Sequence, residues 1–294
     1  MRIAVIGGDR RMLYAAAAFS LSGHTVTVSG FDTAKLPDGL RNIEAAQAIS
    51  QSELVILPVR PADGESLNAP FADDRISLTA LGELIGERPV FSGGADRIRP
   101  YLQGRIYDYT AREDFAVHNA VLTVEGAIGL LVQEYSDCIF GAKTLILGYG
   151  RIGRVLSRYL RAFGAEVTVA ARSEVSRAWA RAEGMAACDF PVSTIGTYRI
   201  LINTVPAPVL NAEQLCALGR DAVVMELASA PGGIDRSAAQ ALGVRCIHAP
   251  GLPGRTSPVA AGRIIKDTIS HIIKEENGGK DNSRLCDDRF LLHL

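Results

Sequence analysis

Lys143-Thr-Leu-Ile-Leu-Gly148-Tyr-Gly150-Arg-Ile-Gly153-Arg-Val-Leu-Ser-Arg-Tyr-Leu-Arg-Ala-Phe-Gly164-Ala-Glu-Val-Thr-Val-Ala-Ala-Arg172-Ser173 carries, in order, the parts of a strand, a glycine turn, a helix and a second strand. Residues 144–147 are an apolar run too short for a helix and closed by glycine, the pattern of a strand buried in a parallel sheet. Gly148, Gly150 and Gly153 follow in G-x-G-x-x-G spacing. The first glycine admits a tight turn, the second lets a pyrophosphate approach the backbone, and the third lets helix and strand pack closely. The phosphates of such a ligand rest on the helix N-terminus, where unpaired N–H groups and the positive end of the dipole face them. Val155, Leu156, Tyr159, Leu160 and Phe163 make the expected buried stripe, Gly164 ends the helix, and residues 166–170 form the second strand. Gly148, Tyr149, Gly150, Arg151, Ile152 and Gly153 are thus the expected dinucleotide cradle.

The end of that second strand selects the cofactor. An NAD site usually offers Asp or Glu there to the ribose hydroxyls, whereas this chain offers Ala171, Arg172 and Ser173. A guanidinium fork beside a hydroxyl suits a 2′-phosphate, so NADP is expected in preference to NAD. The alternative is a solvated arginine with NAD as the cofactor.

At 294 residues the chain has room for two cores. Lys plus Arg number 31 against 32 for Asp plus Glu, which leaves no basic excess for a nucleic-acid backbone. The apolar runs are short and interrupted, so neither a membrane span nor a signal peptide is expected. Cys138, Cys188, Cys216, Cys246 and Cys286 are scattered and never in C-x-x-C spacing. Reduced, buried thiols in a cytosol are expected, and no metal site.

The front of the chain repeats the strand-turn-helix-strand plan with a different turn. Residues 3–6 read as a strand, residues 12–21 as a helix and residues 25–29 as a strand, with Gly7-Gly8-Asp9-Arg10-Arg11 as the turn. The turn lacks the glycine fingerprint, and Asp9 would repel a pyrophosphate. Arg10 and Arg11 at the mouth of a parallel strand suit a carboxylate ligand; alternatively, Asp9 pairs with one arginine to shape the turn. Further strands are expected at residues 54–58, 89–92 and 105–109, with a glycine loop at Ser92, Gly93 and Gly94 and a surface loop over residues 61–74.

A helix over residues 120–135, capped by Asp114 or Asn119, has Ala120, Val124, Ile128, Leu131 and Tyr135 on one face and reads as a connector. Glu125 lies off that face, either as a solvated carboxylate or as a site residue. Beyond the fingerprint, a helix over 173–183 and strands at 186–187, 199–203, 222–227 and 244–248 complete a second sheet. Thr204, Val205 and Pro206 follow the strand whose carboxyl end faces the nicotinamide half in a doubly wound sheet. Residues 250–258 read as a stiff loop, residues 259–274 as a helix returning to the first domain, and residues 277–294 as a frayed tail.

The expected fold is α/β: two Rossmann-like or flavodoxin-like parallel-sheet domains joined by connector helices around a cleft. Residues 1–118 form a flavodoxin-like substrate or partner domain on which residues 258–294 pack, and residues 119–257 form an NADP-binding Rossmann domain.

Several motifs together resemble the family of dipicolinate synthase A subunits. They are Val5-Ile-Gly-Gly-Asp9-x-Arg11, Asn119-x-x-x-Thr123-Val-Glu125-Gly126, Leu147-Gly-Tyr-Gly-Arg-Ile-Gly153, Ala171-Arg172-Ser173, Asn203-Thr-Val-Pro206, and Ala249-Pro-Gly-Leu-Pro-Gly254 with Ala261-Gly262. The resemblance runs from residue 1 to about 275. It implies a cytoplasmic oxidoreductase component of the mother cell of a spore-forming bacterium. With a flavoprotein partner, the B subunit of the same synthase, such a chain converts a dihydrodipicolinate-type intermediate of the lysine pathway into dipicolinate, the flavin residing on the partner.

On that footing NADP lies along the glycine turn, with its 2′-phosphate on Arg172 and Ser173 and its nicotinamide near Thr204, Val205, Pro206, Gly251, Leu252 and Pro253. Asp9, Arg10, Arg11, Ser92, Gly93 and Thr123 border a small cyclic dicarboxylate. Aromatisation removes a hydride and a proton, so a base is required. Glu125 is the expected base and Arg11 the cation holding a ring carboxylate, with His118 structural. An oligomer, of like chains or with the B subunit, is expected. Two rival readings stand beside this one: a stand-alone NADP-dependent dehydrogenase of a small hydroxy or keto acid, and a non-catalytic dinucleotide-binding regulatory protein.

Overall fold

A computed structural model describes residues 1–278. The chain divides into two compact units, Met1–Phe115 with the segment from Gly262 onward, and Ala116–Ala261. Both crossings fall inside helices, three to four residues from the junctions expected after residues 118 and 257. The 277–294 tail reading lies, from residue 279 on, outside the described residues.

The first unit is built from β1 (Arg2–Ile6), α1 (Arg10–Leu21), β2 (Thr25–Ser29), α2 (Ala45–Ser50), β3 (Leu54–Ile56), β4 (Ala62–Asp63), β5 (Ser66–Leu67), α3 (Leu78–Ile85), β6 (Val90–Ser92), β7 (Ile106–Asp108) and the start of α4 (Glu113–Glu134). Its main sheet is wholly parallel in the order β2-β1-β3-β6-β7, the flavodoxin-like arrangement with a switch point between β1 and β3. Residues 61–74 are more than a loop: β4 and β5 pair as a hairpin and bury Leu67. Asp9 accepts from the Arg11 N–H and starts α1 two residues earlier than the apolar pattern suggests. The three isoleucines Ile265, Ile269 and Ile272 join this unit's core, each contributing about 1.5–3 kcal/mol by burial.

The second unit holds most of α4, then β8 (Lys143–Leu147), α5 (Arg151–Ala162), β9 (Glu166–Ala170), α6 (Glu174–Ala182), β10 (Ala186–Cys188), β11 (Ile200–Asn203), α7 (Ala212–Cys216), β12 (Val223–Glu226), α8 (Arg236–Ala241), β13 (Arg245–His248), α9 (Leu252–Thr256) and the first residues of α10 (Pro258–Glu276). Its six parallel strands run β10-β9-β8-β11-β12-β13, the dinucleotide-fold order with its switch point between β8 and β11.

Several local expectations are corrected. Phe163, the C-cap of α5, is 49% exposed rather than buried, whereas Ser157 is buried, its hydroxyl donating to the Arg154 carbonyl. The stretch 250–258 contains α9, entered from Gly251 in the left-handed region. Cys138 and Cys216 are exposed rather than buried, while burial pushes the Cys188 and Cys246 thiols up.

The connector helix α4 begins at Glu113, seven residues before the expected start, and by length and composition alone is apolar enough to cross a bilayer. Half of its most apolar window is buried within the protein, however, and Val124, Ala127, Ile128 and Leu131 belong to the second unit's core.

Candidate functional site

The three fingerprint glycines occupy three different environments. Gly148 sits at φ +97°, and a Cβ there would lie 2.6 Å from the Thr204 hydroxyl and 2.8 Å from the Val205 side chain. A Cβ on Gly153 would lie 2.3 Å from the Gly148 carbonyl oxygen, so the first turn of α5 closes directly on the end of β8. Gly150 is the exception: a Cβ there meets nothing within 4 Å. Gly150 is also the N-cap of α5, and among the described residues no side-chain cap bond is made there. The result is an open backbone surface in front of an uncapped helix N-terminus, the electrostatic requirement of a phosphate cradle.

The rest of the turn faces the protein. Tyr149 is buried beneath Arg154, whose guanidinium lies 5.4 Å from the Tyr149 ring centre and 5.6 Å from that of Trp179. Among the described residues the Tyr149 hydroxyl closes no hydrogen bond, and burial together with the nearby Glu183 carboxylate pushes its pKa up. In this conformation Tyr149 therefore offers a ligand its backbone and not its ring. Thr204 donates its hydroxyl to the Leu147 carbonyl at 2.8 Å, fastening the β11 loop to the end of β8.

Arg172 is exposed and lines a groove of about 850 Å³ beyond the carboxyl ends of the strands, with Phe190, Val192, Pro208, Leu210 and Gly233 among its walls. The fingerprint glycines do not line this groove. Ser173 caps α6, accepting from the Ser176 N–H at 3.4 Å and keeping its own hydroxyl proton to donate.

Sequence reasoning missed Arg177. Its Nη1 donates to the carbonyls of Ala171 (2.6 Å) and Arg172 (2.9 Å), and it pairs with Glu174 and Asp189, so it holds the turn that presents Arg172. Glu226 was also missed. It closes β12, is 1% exposed, and accepts from four N–H groups; an acid ending the apolar run Val223-Val-Met was the available signal.

The Thr123-Val-Glu125-Gly126 and Gly251-Leu252-Pro253 motifs meet inside the second unit. A Cβ on Gly126 would lie 2.8 Å from the Thr256 hydroxyl and 3.1 Å from Leu252, so this glycine exists for helix packing. Leu252 and Pro253 are correspondingly buried and offer no side-chain surface to a cofactor. Thr123 is also buried, donating to the Asn119 carbonyl, whereas Glu125 is exposed.

In the first unit the Asp9–Arg11 pairing is what is observed. Arg11 donates to both Asp9 oxygens through Nε (2.9 and 3.0 Å) and Nη2 (2.7 Å), which occupies the Asp9 carboxylate and removes it from direct contact with a ligand. Arg10 is exposed. Ser92 is fully buried with its hydroxyl on the Gly93 carbonyl, and a Cβ on Gly93 would lie 2.3 Å from the Val59 carbonyl oxygen. Neither Ser92 nor Gly93 therefore faces a ligand in this conformation.

The Gly7-Gly8 turn is filled by the chain itself: the Gly8 N–H donates to the Asn68 carbonyl at 2.8 Å, and Leu67 and Ala69 pack on Gly7. That packing, more than Asp9, is why the first unit's switch point has no phosphate cradle. Among the described residues no three His, Cys, Asp or Glu side chains converge as a metal set.

Residues 2–111 match the family described as the N-terminal domain of the dipicolinate synthase A subunit. The dipicolinate synthase A subunit of Bacillus subtilis (strain 168) is 31% identical over 291 residues, covering 94% of this chain and 96% of the relative. The crystal structure of the Bacillus subtilis dipicolinate synthase A chain superposes with a TM-score of 0.83 at 29% identity, covering 95% of this chain and 97% of that one. The corresponding structure from Bacillus halodurans gives 0.81 at 28% identity, covering 92% and 97%. A transhydrogenase from Sinorhizobium meliloti, 16% identical and covering 93% and 94%, shares the fold with a TM-score of 0.70.

Proposed function

The chain belongs to the family of dipicolinate synthase A subunits, and on that premise we propose that it is an NADP-dependent oxidoreductase component that acts with a flavoprotein partner on a dihydropyridine dicarboxylate. The observation that carries the cofactor assignment is Gly150: the one fingerprint glycine with open space above it, at the uncapped start of α5. Pyrophosphate oxygens accept from the N–H groups of that first turn. Arg172 supplies positive charge to a 2′-phosphate, and the Ser173 hydroxyl donates to the same group. Phe190, Val192 and Leu210 give the groove apolar walls suited to an adenine ring.

Bound there, the cofactor would supply a hydride acceptor, and the proton left by aromatisation would have to go to a base. Glu125, exposed on α4 beside Gly126, is the carboxylate proposed to take it. Arg11 is proposed to hold a ring carboxylate; Asp9 keeps its guanidinium oriented side-on.

Titration of the purified protein with NADPH and NADH, repeated on Arg172→Ala, tests the cofactor. NADPH is expected to bind more tightly than NADH, and loss of one charge-assisted contact removes about 10- to 100-fold of that preference. An unchanged preference in the variant refutes the Arg172 assignment. Turnover by this chain alone, by the flavoprotein alone and by the mixture tests the division of labour. Full activity from the flavoprotein alone removes the catalytic role.

A further inference from the structure

Glu226 is the only carboxylate among the fully buried residues described, and its surroundings are unusual for one. Oε1 accepts from Asn203 Nδ2 at 2.8 Å and from the Ala228 N–H at 3.0 Å; Oε2 accepts from the Gly233 N–H at 2.7 Å and the Ile234 N–H at 3.1 Å. Every partner is a donor and each oxygen takes two. That set fits an ionised carboxylate, because a protonated acid or a glutamine would point a hydrogen at an N–H. Among the described residues Glu226 makes no ion pair with Lys or Arg, so four N–H dipoles carry its charge.

Three of those donors, Ala228, Gly233 and Ile234, lie on the loop after β12, which walls the groove at Gly233 and Ile234; the fourth, Asn203, ends β11, and further bonds continue from each side. Asn203 also donates to the Val205 carbonyl (2.9 Å) and accepts from the Val205 N–H (3.0 Å), while Val205 packs on Gly148 of the glycine turn. On the other side the Gly233 carbonyl accepts from Val209 (2.9 Å) and Leu210 (3.0 Å). Gly233 has no room for a side chain: a Cβ would lie 2.5 Å from Asn203 Nδ2. One carboxylate thus couples the glycine turn, through Val205 and Asn203, to the groove wall at Gly233 and Ile234.

We infer that Glu226 is a positioning residue for an adenosine-phosphate ligand: it holds the loops after β11 and β12 at the separation the groove requires, without touching the ligand. The inference rests on the dinucleotide reading and adds a residue to it. Replacement by glutamine keeps the volume but faces an amide N–H₂ toward backbone N–H groups, so the two loops separate.

The test is calorimetric titration of NADPH and of adenosine 2′,5′-bisphosphate into wild type and Glu226→Gln. It is run at a temperature where circular dichroism reports both as folded, with amide exchange of residues 228–234 measured alongside. The expected result is a rise of about tenfold or more in Kd for both ligands, the equivalent of one lost charge-assisted contact, with faster exchange at Gly233 and Ile234. Gly262→Ala, a first-unit variant whose Cβ would lie 2.6 Å from the Ala15 nitrogen, supplies the control. It is expected to lower Tm and leave Kd unchanged, which separates loop positioning from a general loss of stability.

Should Glu226→Gln fail to fold, Asn203→Ala decides, since it cuts the link to Val205 and leaves three backbone donors on Glu226; it too is expected to weaken both ligands. Wild-type affinity in a folded Glu226→Gln, or in Asn203→Ala where that variant decides, overturns the positioning role alone. Absence of binding by the wild type overturns the dinucleotide reading and the inference with it.

Discussion

Gly150→Ala separates a glycine kept for the fold from one kept for a ligand. Its φ of −80° is open to alanine, and no atom of the described residues lies within 4 Å of the new methyl. Two small effects oppose each other in the free protein. Alanine is a poorer N-cap than glycine by roughly 0.5–1 kcal/mol, and it restricts the unfolded chain to a stabilising extent of about 0.4–1 kcal/mol. The net change in stability is therefore expected within about 1 kcal/mol of zero.

Gly153→Ala behaves oppositely, because its methyl would sit 2.3 Å from the Gly148 carbonyl oxygen, a backbone atom that cannot rotate away. Overpacking of that kind costs about 1–3 kcal/mol, sometimes more. With a phosphate in front of α5 the ranking inverts: the Gly150 methyl occupies the approach path and displaces one or two charge-assisted hydrogen bonds of about 1.5–3 kcal/mol each. Urea unfolding and NADPH titration of the two variants form the assay. Gly150→Ala is expected to unfold like wild type and to bind at least about tenfold more weakly. Wild-type NADPH affinity in folded Gly150→Ala would refute the reasoning, as would marked destabilisation without ligand.

The remaining predictions concern charge. Asp9→Ser keeps a competent N-cap on α1 but leaves the Arg11 guanidinium, 12% exposed, without its carboxylate. A loss of about 1–3 kcal/mol is expected in urea unfolding, and adding Arg11→Met should restore most of it because the cost lies in the unpaired cation; strictly additive losses would sink that account. Arg158, donating to Glu183 at 2.8 Å, holds the Glu183 carboxyl below the usual carboxylate range against the opposing effect of burial. A depressed folded pKa gives stability that is complete above the unfolded value of about 4.3 and vanishes as pH falls through the lower folded value. Thermal unfolding of Glu183→Gln between pH 3 and 7 should thus show a flatter acid limb than wild type, and identical limbs would exclude the linkage.

The dinucleotide fold of the second unit was legible because its determinants are local. Apolar runs of four or five residues closed by glycine, a helix stripe and an Asp or Ser at a helix start can each be read within a few residues. The glycines of the fingerprint and the alternation of strands and helices belong to that class. Helices α2 and α3 went unread: α2 has only six residues, and α3, whose stripe Leu78, Leu81 and Ile85 is regular, follows a loop rich in turn residues.

Other features needed coordinates, because they depend on contacts between residues far apart in the chain. Gly126 is a packing glycine only because Leu252 and Thr256 lie against it, and Ser92 is unavailable only because the surrounding strands bury it. The sequence leaves open whether Arg11 pairs with Asp9, and only the coordinates put its guanidinium on both Asp9 oxygens. The position of Glu226 at the end of an apolar run marks it in the sequence, but its role is hidden for the same reason, since three of its four donors are backbone N–H groups, which no residue type announces. The amino-acid order by itself determined the two parallel sheets and the glycine cradle, through short-range patterns of burial and backbone freedom. Tertiary structure alone decided which charged and polar side chains are already satisfied by the fold and which remain for a ligand, because hydrogen-bond satisfaction is settled by what packing brings within about 3 Å.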